Sequence, residues 1–150
     1  MLDPNSTLFS HVKPGDNDYV SGGLRDFFPY RDLGVAAATH GKVIAHLVKA
    51  NMPPTNGTGW HYHVCDAQFV YVLKGWVELQ FEETGTVRLE AGDAINIPGY
   101  LAHNEIRTSD ELEILEVSVP AALGTQVGGS VIRPAAYCGR TRTWRRNPSR

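Results

Sequence analysis

The chain has 150 residues, which is enough for one domain with a hydrophobic core and too few for two domains of ordinary size. A net charge of −2, an apolar fraction of 42 % and a charged fraction of 20 % are typical of soluble globular proteins and argue against a disordered or fibrous chain. There is no apolar run of membrane-spanning length, and the segment MLDPNSTLFSHVKPGD lacks the basic start and apolar stretch of a signal peptide, so we expect a cytoplasmic protein without a membrane partner.

Charge is divided unevenly along the chain. Residues 1–120 carry all 16 acids against 8 bases, whereas residues 121–150 carry 6 arginines and no acid. Such a tail is compatible with a nucleic-acid arm or with docking on its own or a neighbouring acidic barrel. Because the arginines are dispersed, we expect no nucleic-acid partner. We expect Cys65 and Cys138 to be free thiols, since a lone bridge gives little support for a disulfide scaffold.

Short β-like runs succeed one another along the chain. In the first forty residues, segments 8–12, 19–28 and 30–39 are candidates for edge strands or for a wrap around the fold, and residues 34–38 could equally form a short helical turn. Further on, runs rich in β-branched and aromatic residues predict strands at 43–50, 68–73, 77–81, 86–89, 94–97 and 112–119. Glycine, proline and asparagine separate the runs, as tight turns require.

This succession predicts an all-β protein, either a sandwich or a barrel, in a single domain. We expect an N-terminal extension over residues 1–40, a barrel over 41–120 and a basic C-terminal tail over 121–150.

The strongest local pattern combines glycines with histidines. His61 and His63 stand two residues apart, and side chains two apart in a strand point to the same face, so both imidazoles aim at one point. Gln68 follows closely, and His103 comes later in the chain. Three imidazoles and one amide oxygen would leave coordination positions open on zinc, iron, nickel or manganese. An open position allows substrate or water to bind.

The order and spacing of these residues resemble the two motifs of the cupin superfamily. The first is similar to GTGWHYHVCDAQ followed by Lys74-Gly75, and the second is matched by Gly92, Pro98 and His103. The resemblance implies a double-stranded β-helix, or jelly-roll barrel. It also implies one divalent transition-metal ion held by His61, His63, Gln68 and His103, a small-molecule ligand or substrate, and a homodimer.

Three residues depart from the family pattern. Gln68 stands where most metal-binding cupins have glutamate, Tyr100 where the second motif usually has glycine, and Arg107 where it usually ends in asparagine. Glutamine is a ligand in some cupins, including ones that resemble polyketide cyclases and enzymes acting on unsaturated uronates. A neutral ligand set leaves the full charge on the metal, which favours Lewis-acid chemistry over oxygen chemistry.

Glu105 and Arg107 are the candidate catalytic residues. If the chain from 103 to 107 is regularly extended, both share the inward face of His103. Glu105 could then move protons, and Arg107 could hold a substrate carboxylate in a two-bond fork. The alternative is an ion pair between the two at the barrel rim. Weaker candidates are Tyr71, Glu116 and His46; we expect His11, His40 and His46 to be surface or hydrogen-bonded core residues, Cys65 to be structural and Asp93 to close a turn.

The sequence leaves three functions open. The first is a metal-dependent lyase, isomerase or cyclase that acts without redox chemistry on a small polar or anionic organic molecule. The second is a cupin dioxygenase that uses ferrous iron and oxygen. The third is a binding or sensing module whose metal holds a ligand without transforming it.

Overall fold

The protein is a β-barrel of two facing antiparallel sheets, described by a computed structural model over residues 6–21, 27–51, 57–82, 84–129 and 131. Each sheet has five strands, and the one helix in these ranges, α1 (Val35–Ala38), has four residues. The prediction of an all-β jelly-roll fold is confirmed. Within the same ranges no helix has the length and apolar character needed to cross a bilayer.

Most neighbouring strands within each sheet are distant from each other in sequence. In spatial order, the first sheet contains β1 (Tyr30–Asp32), β2 (Ile44–Lys49), β9 (Glu113–Val119), β4 (Ala67–Lys74) and β7 (Ala94–Pro98). The second contains β10 (Gly124–Val127), β3 (His61–Val64), β8 (His103–Thr108), β5 (Trp76–Phe81) and β6 (Gly85–Glu90). The strands that carry the histidines therefore lie side by side in one sheet, and the strand that carries Gln68 lies in the other.

All six predicted runs contain strands, and the alternatives left open for residues 30–39 are now resolved. The segment 30–39 supplies both an edge strand, β1, and the helical turn α1. The sequence did not predict β10, because Gly-Thr-Gln-Val lacks the apolar alternation of a half-buried strand. Cys138 and the six arginines of the tail lie outside the described residues.

The core lies between the sheets, where alternate side chains of each strand meet. In β4, Val70 and Val72 are buried, whereas Phe69, Tyr71 and Leu73 are partly exposed on the outer face. The main buried apolar cluster contains Phe28, Val48, Val72, Val77, Leu79, Phe81, Leu89, Ile97, Leu101 and Leu112. Tyr71, one of the weaker candidates, thus points away from the barrel interior.

The turn before β8 places tight demands on the backbone. A Cβ at Gly99 would overlap the carbonyl oxygen of Cys65, so only glycine fits there. The next residue, Tyr100, has a φ of 66°, in the left-handed region that glycine adopts most readily. This conformation explains in physical terms why the resembled motif usually has glycine at that position. The turn delivers the chain to His103.

Candidate metal centre

Three buried histidines meet at the start of two neighbouring strands. His61 and His63 share the inward face of β3, and His61 lies directly opposite His103 of β8 in the ladder. One ring nitrogen from each residue falls within 4.8 Å of those of the other two. The strand parity that the sequence predicted places His61 and His63 on one face, and the pairing of β3 with β8 adds His103.

Backbone carbonyls fix the orientation of two of these rings. The Nδ1 atom of His61 lies 2.7 Å from the carbonyl oxygen of Gly59, and that of His103 lies 3.0 Å from the carbonyl oxygen of Leu101. A carbonyl only accepts hydrogen bonds, so each Nδ1 donates, and in a neutral ring Nε2 keeps the lone pair. The two Nε2 atoms are 3.1 Å apart. Two facing lone pairs at this distance repel unless a cation or proton lies against both.

The third ring is oriented by the strand that the sequence did not predict. His63 Nδ1 lies 3.0 Å from the hydroxyl oxygen of Thr125 in β10, which can accept its hydrogen. The ring centroid of His63 is 5.3 Å from those of both His61 and His103. Sequence analysis missed Thr125 because its role depends on the pairing of β10 with β3.

Gln68 presents an amide oxygen that lacks a hydrogen-bond donor among the described residues. The side chain is buried, and its Nε2 donates to Oε2 of Glu116 at 2.9 Å. Within the described ranges, no group donates a hydrogen bond to Gln68 Oε1. If the amide nitrogen and oxygen of Gln68 were exchanged, two oxygens would face each other at this contact. The hydrogen bond therefore places Nε2 towards Glu116 and Oε1 away from it. Three clustered imidazoles, with an unsatisfied amide oxygen in the cavity that His63 and His103 line, fit a divalent transition-metal ion.

A carboxylate stands beside the histidine cluster. Oε2 of Glu105 lies 3.7 Å from Nε2 of His61, and Oε1 of Glu105 lies 3.8 Å from Nε2 of His103. The hydroxyl of Thr58 donates to this carboxylate and accepts from the backbone N–H of Glu105 at 3.1 Å. Thr58 therefore holds Glu105 against the cluster, and sequence analysis did not single it out.

The structure does not bring Arg107 to this place. In the pairing of β8 with β5, Glu78 lies opposite Arg107 and Leu79 opposite Glu105, so Ile106 is an extra residue that forms a bulge. The bulge reverses the facing of the residues that follow it. Arg107 has a side chain 68 % exposed, and its Nε and a terminal nitrogen lie 2.8 and 2.7 Å from Oε2 of Glu78. The inward orientation expected from regular alternation is thus corrected for Arg107 and retained for Glu105.

The cluster opens into a cavity of about 940 Å³ between the sheets. His63, Gln68, His103, Glu105 and Glu116 all line it. His46 lines it as well, and burial lowers the pKa of this imidazole despite the opposing charge of Asp32.

The remaining candidates lie elsewhere. His11 and His40 are exposed, and Asp93 accepts a hydrogen bond from the backbone N–H of Glu90 in a turn. Cys65 is a buried free thiol whose pKa is raised by burial.

Comparisons with known proteins agree with this architecture. The sequence profile of the family described as "Cupin domain" matches residues 48–119. The polyketide cyclase RemF from Streptomyces resistomycificus superposes with a TM-score of 0.63 at 20 % identity, over 85 % of this chain and 89 % of that one. KdgF from Halomonas sp. superposes with a TM-score of 0.59 at 20 % identity, over 74 % of this chain and 94 % of that one. Hydroxypropylphosphonic acid epoxidase from S. wedmorenis superposes with a TM-score of 0.61 at 13 % identity, over 77 % of this chain and 64 % of that one.

No curated protein sequence matches the chain. At these identities the structural matches establish a shared fold, and the chemistry of this chain must be argued from its own residues.

Proposed function

Because the chain belongs to the cupin superfamily, we propose that it is a metal-dependent lyase, isomerase or cyclase that transforms a small organic molecule without redox chemistry. The observation that carries the proposal is the neutral donor set: three clustered imidazoles and, lining the same cavity as two of them, a buried amide oxygen without a protein donor among the described residues. His61, His63, His103 and Gln68 would hold the ion. Such a set leaves the ion's charge uncompensated by its ligands, which suits polarisation of a substrate oxygen.

Glu105 would move the proton. A Lewis acid makes a hydrogen on the carbon next to a polarised carbonyl, or the proton of a bound hydroxyl, more acidic, and a base must then take it up. The Glu105 carboxylate lies against two of the histidines. The hydroxyl of Thr58 donates a hydrogen bond to it and holds it in this position. A partly buried base beside the ion can take a proton from carbon, as elimination requires, and can return it to another carbon, as isomerisation requires.

Two of the similar structures are compatible with this chemistry, whereas the epoxidase is not an example of it. RemF is a polyketide cyclase, and another similar structure, from Silicibacter pomeroyi, is a sugar phosphate isomerase. Both names denote reactions in which bonds rearrange within one molecule. They support the reaction class for this chain but not a particular substrate.

The test is turnover by zinc-loaded protein without oxygen. A panel of hydroxy and carbonyl compounds is incubated anaerobically, and products are identified by mass spectrometry. We expect products of unchanged mass or products that have gained or lost water. Glu105→Gln should abolish turnover but keep the metal, whereas Asp66→Asn, an exposed acid outside the cavity, should leave both unchanged. Products found only with ferrous iron and oxygen would refute the proposal.

One observation favours the dioxygenase as a second candidate. His61, His103 and Glu105 together provide two imidazoles and one carboxylate, the ligand set typical of non-haem iron oxygenases. In that case Glu105 would be a ligand rather than a base. Oxygen consumption that requires ferrous iron and disappears in Glu105→Gln together with the bound iron would identify this function.

A binding or sensing module remains a third candidate. It predicts saturable ligand binding without product and loss of binding in His61→Ala. The homodimer and the cytoplasmic location also remain predictions; sedimentation equilibrium tests the first, and fractionation of cells that express the native gene tests the second.

A further inference from the structure

The wall of the cavity beyond the histidines is mainly apolar. It includes Phe28, Val48, Val70, Val77, Leu79 and Ile97. A volume of about 940 Å³ lies at the upper end of the range for small-molecule pockets, so the space accommodates more than a compact polar metabolite. Burial of an apolar ligand body against this wall would drive binding.

The charged residues of the wall are all acidic. Asp16, Asp18 and Asp32 are exposed side chains that line the cavity where it meets solvent. Glu105 lines it next to the histidines, and Glu116 lines it next to Gln68. Among the described residues that line the cavity there is no lysine or arginine.

Neither His46 nor Arg107 supplies the missing positive charge. Burial lowers the pKa of His46 and so disfavours the charged form of this imidazole. The guanidinium of Arg107 lies on the outside of the barrel against Glu78. An anionic substrate would therefore meet carboxylates at the entrance and again beside the cluster.

We propose that the cavity selects an uncharged organic molecule with a bulky apolar body and a single hydroxyl or carbonyl oxygen, and that it rejects carboxylates and phosphates of the same shape. The inference rests on the proposed function only for the oxygen's contact with the ion. Asp16, Asp18 and Asp32 repel an anion before it reaches the cluster. Deeper in the cavity, Glu105 beside the histidines and Glu116 beside Gln68 add two more acidic side chains to the wall.

Two matched probes test the proposal: 2-naphthalenemethanol, which is neutral, and 2-naphthoate, which has the same ring system and one negative charge. Affinity is measured by isothermal titration calorimetry at low ionic strength, because salt screens exposed charges. We expect the alcohol to bind at least about tenfold more tightly, corresponding to about 1.4 kcal/mol. The preference should hold in the metal-free protein, in which the wall alone acts on the two probes.

Variants assign the selectivity to the wall. Asp16→Asn/Asp18→Asn/Asp32→Asn should reduce the preference severalfold by improving the affinity for 2-naphthoate. The matched control is Asp66→Asn/Asp110→Asn/Glu111→Gln, which removes three exposed charges that do not line this cavity and should leave the preference unchanged. Equal or tighter binding of 2-naphthoate to the metal-free protein, or no binding of the alcohol at millimolar concentration, would overturn the proposal.

Failure of the proposed function would look different. In that case zinc-loaded protein turns over no compound, while the metal-free protein still prefers the neutral probe. Conversely, turnover of a carboxylate substrate by the zinc form, with tighter binding of 2-naphthoate, would retain the reaction class and refute the substrate class.

Discussion

Gln68 gains its role at the candidate centre from its contact with Glu116. Because Nε2 donates to the Glu116 carboxylate, the amide oxygen must face the other way, and it does so without a protein donor among the described residues. Glu116 is therefore a positioning residue for the proposed ligand. Hydrogen bonds of this kind to metal ligands typically change metal affinity by about 10–100-fold.

We predict that Glu116→Ala weakens zinc binding about tenfold because the amide of Gln68 then rotates freely. Glu116→Gln should restore most of the affinity, since its amide oxygen accepts the same hydrogen bond. Competition with a fluorescent zinc chelator measures both. Full affinity in Glu116→Ala would show that Gln68 is not positioned in this way.

His46 should make the stability of the protein depend on pH. Burial lowers the pKa of His46 below its ordinary 6.5, so the unfolded chain takes up a proton at a higher pH than the folded chain. As the pH falls below about 6.5, the free energy of unfolding should therefore decrease, until the folded protein is also protonated. Urea unfolding of the metal-free protein across this range measures the loss. His46→Asn should lose less stability, and an identical pH profile for this variant would contradict the assignment.

At the scale of elements, the bulge at Ile106 separates the two candidate catalytic residues. It leaves Glu105 in the cavity and turns Arg107 outward onto Glu78, whose side chain is only 10 % exposed. The expected effect of Arg107 is therefore on stability. Arg107→Ala should reduce the free energy of unfolding by about 1 kcal/mol and leave zinc and ligand affinity unchanged. A severalfold loss of ligand affinity would return Arg107 to the site.

In the turn between β4 and β5, a side chain should cost more stability than at a glycine with open space around it. Gly75 has a φ of 71°, and a Cβ there would lie 3.0 Å from backbone atoms of Leu112, which cannot move aside easily. Gly85 has a similar φ of 80° and nothing within 4 Å of such a Cβ. Gly85→Ala should therefore cost about 1–2 kcal/mol from backbone strain alone. Gly75→Ala should cost about 1–3 kcal/mol more from crowding, as urea unfolding can measure; equal costs would contradict this account.

Sequence predicted the parts of the site that depend on local pattern. His61 and His63 share a face because any extended chain places residues two apart on one side, and the motif spacing added Gln68 and His103. Arg107 was misplaced because a bulge depends on the register between two strands, which periodicity within one strand does not reveal. Thr58, Glu116 and Thr125 were missed or left undecided for a related reason. Each supports the site through a contact between segments at least 47 residues apart.

At the scale of the whole molecule, the proposed ligands come from both sheets. The three histidines lie on β3 and β8 of one sheet, and Gln68 lies on β4 of the other. An ion held by all four would join the sheets across the barrel. Since the unfolded chain lacks this arrangement, metal binding should stabilise the folded state.

We predict that chelation lowers the melting temperature. At free zinc one hundred times the dissociation constant, binding contributes about 2.7 kcal/mol, which corresponds to about 5–10 °C for a chain of this size. Differential scanning calorimetry with and without chelator measures the shift. A variant with both His61→Ala and His103→Ala should show no shift on chelation, and a shift of equal size in that variant would place the metal elsewhere.

The most direct test is the metal content of protein purified without a histidine tag or added metal, beside the same double variant. The account predicts about one equivalent of a transition metal per chain in the native protein and none in the variant, as expected for one site of this kind. Zinc, nickel or manganese would favour the non-redox enzyme, and iron would favour the dioxygenase. No metal in either protein, even after reconstitution, would contradict the central claim and leave a metal-free barrel with a binding role.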